Sequence, residues 1–455
     1  MKSIKSNSFK IAVLLIILGS MAILYWFGFH KRFDAKYIPQ NADAIVMIDV
    51  KNIRNYFVFS FLKTPSQWNS TDFGINKKLN LSDFGIATSD YFAFFHLENQ
   101  SLNEWFTVAK VENETEFEKA IIKRHYSKEN LNNGMSSYYS KSIGVLIIKD
   151  SNQILVSKIT EKQKKIAIKT AEDLFLKKLF LDPKKIKKTI TTSNAITIWI
   201  KKNNFLEDDG IISINFKDSE IAADGQLQIK SKYRKEWQFS QNPNALLSLG
   251  FDFGVIKNQN ILKRHSTQIN KIIGFDLDSI LIHNPSKTEL VLNEIIEKKD
   301  SAISYEYDDN FNPVKKLVVH TRREPSFYFS MQTKNSEKVF NYLESQNAID
   351  NHQVFVNFPL AKTKTSVRNN ALTLEANSSK HNHFQSSRSK IGYFQVHFNK
   401  LQNKDWCFIM TQNKNFQLLK PFEALTIDLT KENNFGHFQA HLKTQDQKSL
   451  ISIMN

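Results

Sequence analysis

Apolar and polar positions alternate with a period of two in PQNADAIVMIDV, Pro39 to Val50, and again in PNALLSLGFDF, Pro243 to Phe253. Ala44, Val46, Ile48 and Val50 mark the first run; Leu247, Leu249, Phe251 and Phe253 mark the second. This is the period of a half-buried strand, and the opening proline holds the residue before it to an extended backbone. Three more pairs of segments follow in the same order. WFTVAKVENETEFEKAII (Trp105 to Ile122) answers FYFSMQTKNSEKVFNYLE (Phe327 to Glu344), each an aromatic-rich strand leading into a helix. Asn113 and Asn335 stand where a side-chain oxygen can accept an orphan helix N–H. Glu116 adds a capping-box-like partner in the first copy, where the second has Lys338. Phe117, Ala120 and Ile121 form one helical face; Val339, Phe340 and Leu343 form the other.

AITIWIKK (Ala195 to Lys202) and YFQVHFNK (Tyr393 to Lys400) are the third pair of alternating strands. SINFKDSEIAADGQLQIK (Ser213 to Lys230) and TIDLTKENNFGHFQAHLK (Thr426 to Lys443) close the halves as hairpins, with Gly225 or Gly436 in the returning strand. A glycine inside a strand marks a bulge or a close backbone approach. Four pairs in one order predict an α+β chain of two related domains, 37–240 and 241–455, each an antiparallel-rich sheet with packed helices. YYSKSIGVLIIKDSNQILVSK reads as a further hairpin, and Glu161 to Phe180 as one long helix. The polar run Asn377 to Lys390 reads as an exposed loop.

A different pattern precedes these domains. Ile11 to Phe29, IAVLLIILGSMAILYWFGF, carries no charge. At about 1.5 Å per residue it makes roughly 28 Å of helix, close to the hydrocarbon thickness of a bilayer. Residues 1–10 are a short basic tail with Lys2, Lys5 and Lys10. Tyr25, Trp26, Lys31 and Arg32 sit where aromatic and basic anchors favour the membrane interface. The aromatics of LYWFGFHKR fill the place where a cleavage site needs small residues, so 11–29 is expected to be an uncleaved, single transmembrane signal anchor. The bulk of the chain is then expected on the non-cytoplasmic, periplasmic side.

Composition changes this picture little. A chain of 455 residues suits two or three domains. Its net charge of +17 favours anionic partners. Lysine outnumbers arginine, however, and no zinc-finger or RNP-like spacing appears, so nucleic acid is not an expected partner. Heavy use of Lys, Asn, Ile and Phe matches AT-rich codons and points to a bacterial source. The single cysteine, Cys407 in DWCFIM, cannot form an intramolecular disulfide, and its apolar neighbours suggest a buried strand.

Chemistry-bearing motifs are scarce. The chain has no Gly-rich phosphate loop, HExxH, GxSxG or EF-hand pattern. His381 and His383 lack companion ligands, and a solvated loop is the better reading. Asp276 and Asp278 suit a loop or helix cap better than a cation site. Glu207, Asp208 and Asp209, like Asp308 and Asp309, carry turn chemistry. No catalytic, cofactor-binding or metal-ligating residue is expected, and no cofactor. The segment Glu161 to Lys188 interleaves apolar residues with lysines, and Lys184, Lys185, Lys187 and Lys188 could touch an anionic surface. The plainer alternative is a sheet-packed helix with a lysine-rich outer face.

The anchor, the opening YIPQNADAIVMIDVKNI (Tyr37 to Ile53) with its Ile38-Pro39-x-x-Ala42 strand, and the duplication resemble bacterial single-pass membrane-anchored envelope proteins of unknown function. That resemblance implies a non-cytoplasmic, duplicated α+β body and transfers no catalytic residues. The expected function is a non-enzymatic envelope protein that contacts another envelope protein, a glycan or a lipid. A module binding lipid or another apolar ligand is the alternative, and a hydrolase with an unrecognised site is the third.

Overall fold

In the computed structural model the run around Pro39 becomes strand β1, Ala42–Asp49, and passes directly into helix α1, Val50–Lys63. The structure describes residues 21, 25–26, 28–33, 37–67, 81–98, 100–101, 103–131, 133–158, 163–190, 194–240, 242–256, 260–377 and 389–450. Most of the expected span 11–29 lies outside them, as do His381 and His383. Among the described residues no helix is long and apolar enough to cross a membrane.

The protein is mixed α+β, and its chain divides into two units. The first holds 1–202, 208–225 and 449–455; the second holds 203–207 and 226–448. The expected boundary at 240–241 therefore falls inside the second unit.

The first unit continues with β2 Tyr91–Leu97, β3 Phe106–Lys110, α2 Glu114–Lys123, β4 Ser127–Asn130, β5 Ser136–Ser140, β6 Val145–Asp150 and β7 Gln153–Lys158. Helices α3 Lys164–Ala171 and α4 Pro183–Ile190 come next, then β8 Ile196–Ile200, β9 Gly210–Lys217 and β10 Glu220–Leu227. Its strands lie in the order β10-β9-β8-β1-β2-β3-β7-β6-β5-β4. The long helix expected over 161–180 is interrupted. After Ala171 the chain widens into a π-helical turn, Glu172–Leu176, which sends Leu174 and Phe175 into the core, and Pro183 opens a new helix.

The second unit runs β11 Leu247–Asp252, α5 Asn260–Ile273, α6 Leu277–Leu281, β12 Lys287–Tyr307, β13 Pro313–Gln332 and α7 Ser336–Ser345. Strands β14 Val354–Phe355, β15 Thr363–Arg368, β16 Ala371–Ala376 and β17 Gly392–His397 follow, then α8 Asn403–Gln412, β18 Phe422–Glu432 and β19 Phe435–Thr444. Its order is β19-β18-β17-β11-β12-β13-β16-β15-β14. These nine strands follow the order of the first unit from β10 to β5, with β11 in the place of β1 and β17 in the place of β8, and β4 has no counterpart among the described residues. The paired helices start alike. Asn113 accepts the N–H of Glu116 at 3.2 Å to cap α2, and Asn335 accepts that of Lys338 at 3.2 Å to cap α7.

The alternation picks out the shallower side of each sheet. In the first unit Ile45 and Met47 are buried with Ala93, Phe95 and Trp199 beneath Ala171, Leu174 and Ile186 of the helical segment. Val46 and Ile48, directly opposite Phe94 and Phe92 on β2 and Ile198 and Ile196 on β8, share the other face and are only half-buried. In the second unit Ser248 and Gly250 point to the deep side, while Leu247 and Leu249 face the half-open one with Leu292, Leu290, Val396 and Phe394. Both faces are apolar around β1, so period alone does not identify the helix-covered one.

The glycines of the returning strands mark close approaches. A Cβ on Gly225 would lie 2.7 Å from the carbonyl oxygen of Ile211, and one on Gly436 would lie 2.2 Å from Ile229. Cys407 departs from its expected strand: it lies on α8 and is exposed, while its neighbour Trp406 is buried. Gln402 and Asp405 close a capping box at the start of α8, and this local bonding outweighs the strand propensity of Trp406, Phe408 and Ile409.

Candidate interaction surfaces

Residues 28–33 are fastened to the start of α1. Asp49, 3% exposed, caps the helix by accepting the N–H of Asn52 at 2.8 Å and forms an ion pair with Lys31. One residue on, the N–H of Arg32 donates to Asp90 at 2.9 Å, and Asp90 also pairs with Lys51 at 3.1 Å. The Lys51 ammonium donates to the His30 carbonyl, and the Asn55 amide donates to that of Gly28 at 3.0 Å. Trp26 stacks on His30 with centroids 4.4 Å apart, and the Arg32 guanidinium lies 5.2 Å from the Trp26 ring centroid. Tyr91 sits under this cluster. Burial first, then the nearby carboxylates of Asp49 and Asp90, pushes its phenol well above the ordinary tyrosine range. Of the expected interface anchors, Tyr25 and Trp26 are exposed, whereas Lys31 and Arg32 are engaged by the folded body.

The second unit carries a feature with no parallel among the described residues of the first. Strands β12 and β13 leave the sheet at a bulge between Leu292 and Glu294 and from there pair with each other as far as Tyr307 and Pro313. At about 3.3 Å per residue this ribbon is roughly 45 Å long. A charged cluster grips its root: Glu324 pairs with Lys298 at 2.7 Å and Arg322 at 2.6 Å, and accepts from Asn377 at 2.8 Å. The Lys298 hydrogen bond, followed by those other partners, holds the Glu324 carboxyl below the usual range. Arg323 pairs with Asp405 of α8.

At the tip, Asp308 accepts the N–H groups of Asn310 at 2.9 Å and Asn312 at 2.8 Å, so this aspartate is turn chemistry, as expected. Those bonds hold its carboxyl below the ordinary value. The turn places Phe311 at φ +60°. One face of the ribbon carries an exposed apolar cluster, with Lys315 standing opposite Tyr305 within it. Ile303 stands opposite Leu317, 61% and 66% exposed, with Tyr305, Tyr307 and Val319 beside them. The opposite face carries Glu306 and Lys316, paired at 2.5 Å, and Asp300 paired with Arg322 at 3.0 Å. Period-two alternation of Ile303, Tyr305 and Tyr307 in ISYEY was the available signal for this surface.

Of the lysine-rich segment 161–188, Lys184 to Lys188 lie on α4. Ile186 and Thr189 of α4 are buried, while Lys184, Lys185 and Lys187 are exposed; the side chain of Lys188 lies outside the described residues. Asp276 caps α6, accepting from Ser279 Oγ at 2.8 Å, Ser279 N at 3.2 Å and Asp278 N at 3.3 Å. The Ser279 hydroxyl contributes most to holding its carboxyl low. Asp209 accepts the N–H of Lys202 at 2.9 Å and Asp208 that of Asp209 at 2.8 Å, both within the loop between β8 and β9. Glu207 lies 3.7 Å from Arg234.

Recesses are modest. An apolar one of about 170 Å3 between α2 and the sheet is lined by Phe84, Phe117, Ile121, Val145 and Ile154. A polar one of about 300 Å3 lies beside the ribbon root, lined by Asn244, Asn293, Arg323, Lys400 and Asp405. Among the described residues no group of His, Cys, Asp and Glu is placed to hold a metal ion.

No protein-family model matches this chain, and no curated protein matches it. Among solved structures, crystal form III of TP0453 is similar over 44% of this chain and 81% of that one, at 13% identity and a TM-score of 0.28. Crystal form I of TP0453 is similar over 76% of this chain and 93% of that one, at 12% identity and a TM-score of 0.22. Scores this low carry no argument about fold or function.

Proposed function

We propose that this chain is a non-enzymatic, single-pass envelope protein, held by residues 11–29, whose duplicated α+β body lies on the periplasmic side and works by contacting another envelope component. The matching strand orders and matching helix caps support the duplication. The apolar length of 11–29 supports the anchor. The β12–β13 ribbon carries the functional reading. An isolated two-stranded ribbon is marginal in water, and this one exposes a cluster of Ile303, Tyr305, Tyr307, Leu317 and Val319 on one face, the mark of a surface awaiting a partner. The ribbon's two-sided form, apolar cluster on one face and ion pairs on the other, suits a protein partner that adds its own apolar surface. A second reading, an apolar-ligand module, is favoured by the half-open sheet faces around Val46 and Leu249.

The test places a photo-crosslinking residue at Tyr305 or Leu317, and at Lys316 on the polar face, in the full-length protein within its native envelope. One discrete protein adduct from Tyr305 and Leu317, absent from Lys316, is expected. Equal smears from all three positions, or none, would remove the ribbon from the account. Lipid recovered with the purified protein while crosslinking fails would favour the second reading.

A further inference from the structure

Helix α1 turns apolar side chains outward over its carboxy-terminal half. Ser60 is its buried residue, while Val58, Phe59 and Leu62 are exposed, the last two by 54% and 67%. Helical spacing puts Lys51, Asn55, Val58, Phe59 and Leu62 along one stripe, at i, i+4, i+7, i+8 and i+11. The upper part of that stripe grips the lead-in from the expected anchor, because Lys51 and Asn55 donate to the carbonyls of His30 and Gly28. The side of α1 that faces the chain's exit from 11–29 is therefore the side that exposes its apolar residues. Lys51 and Lys63 bracket the apolar section with positive charge.

We infer that the carboxy-terminal half of α1 seats in the headgroup and upper acyl region of the same bilayer that residues 11–29 cross. This rests on the anchor reading and adds a second contact to it. The chain cannot drift freely on its tether, because Lys31 and Arg32, two and three residues past the expected span, are bound to Asp49 at the start of α1 and to Asp90 beside it. Burying an interfacial helix face to a depth of about 5–10 Å then fixes the orientation of the first unit on the membrane. Lipid is the occupant the stripe selects, since the polar half of the stripe is already bonded to the segment leaving the span.

The experiment uses the full chain with Cys407→Ser, reconstituted in vesicles of phosphatidylethanolamine and phosphatidylglycerol. A polarity-sensitive fluorophore is attached at Phe59→Cys, at Leu62→Cys, or at Ala22→Cys inside the expected span. Quenching is compared between lipids spin-labelled near the headgroup, for 59 and 62, lipids spin-labelled deep in the acyl chain, for 22, and aqueous iodide. Lipid quenching that removes about half of the emission at 59 and 62, with little effect of iodide, is the expected result for shallow insertion. Lipid quenching at 22 with iodide quenching at 59 and 62 would overturn the seating and leave the anchor standing. Protection of 59 and 62 from both quenchers would show a protein surface covering α1 and would also overturn it. Loss of lipid quenching at 22 would defeat the anchor reading itself.

Discussion

Removing the Asp49 carboxylate should release both ends of the clamp at once. Its Oδ1 caps α1 through Asn52, and loss of such a cap costs about 1 kcal/mol. The same carboxylate bonds Lys31, and a hydrogen bond between charged groups contributes about 1.5–3 kcal/mol. Asp49→Ala is therefore expected to cost about 3 kcal/mol locally, and Lys31→Met, which keeps the cap, about 2 kcal/mol. Since the two changes delete one shared bond, the double variant should cost little more than Asp49→Ala, a coupling of about 2 kcal/mol. The assay is amide hydrogen exchange read by mass spectrometry on peptides covering 50–63. About 3 kcal/mol corresponds to exchange roughly a hundred-fold faster in α1. Asp49→Asn, which retains a capping oxygen, should fall close to Lys31→Met. Strict additivity of the two single changes, or unchanged exchange in Lys31→Met, would refute the clamp.

Two further outcomes follow from local geometry. Gly85 has φ +64°, and a Cβ there would lie 2.0 Å from the carbonyl oxygen of Asn113, whose own N–H donates to Gly85 at 3.1 Å. Gly85→Ala should cost about 2–5 kcal/mol, from about 1–2 for the left-handed backbone plus overpacking. Gly134→Ala, at φ +84° with open space around it, should cost only about 1–2 kcal/mol. Urea unfolding followed by tryptophan fluorescence, to which the buried Trp199 contributes, measures both, and equal costs would contradict the close approach. In the second unit, burial and then Lys400 hold the His397 imidazole below the usual histidine value. A depressed histidine favours its neutral form in the fold, so its contribution is present above about pH 6.5 and is lost as pH falls through the folded value. His397→Gln should flatten that acid-side decline in thermal unfolding, and an unchanged slope would count against it.

The sequence announced its repeats through features set by local chemistry. Asn113 and Asn335 could be read as caps because a short acceptor before a helical face has few other uses, and both make that bond. Gly225 and Gly436 could be read as close approaches for a similar reason. The helix-covered face of the sheet could not be read, because Ile45 and Met47 are as apolar as Val46 and Ile48 and only long-range packing separates them. Cys407 was misplaced because its apolar neighbours suit a strand, while the capping box that makes α8 depends on Gln402 and Asp405 upstream. The ribbon and the α1 stripe went unread as surfaces, since exposure of Ile303 or Leu62 is a property of what the fold leaves uncovered.

The claim that the body stands outside the membrane, tied to it, can be tested through the single cysteine. Cys407 is exposed on α8, so a membrane-impermeant maleimide should label it in intact spheroplasts as fully as after lysis. The labelled protein should also stay with the membrane through an alkaline carbonate wash. Labelling that appears only after lysis, or release of the protein by the wash, would contradict the account.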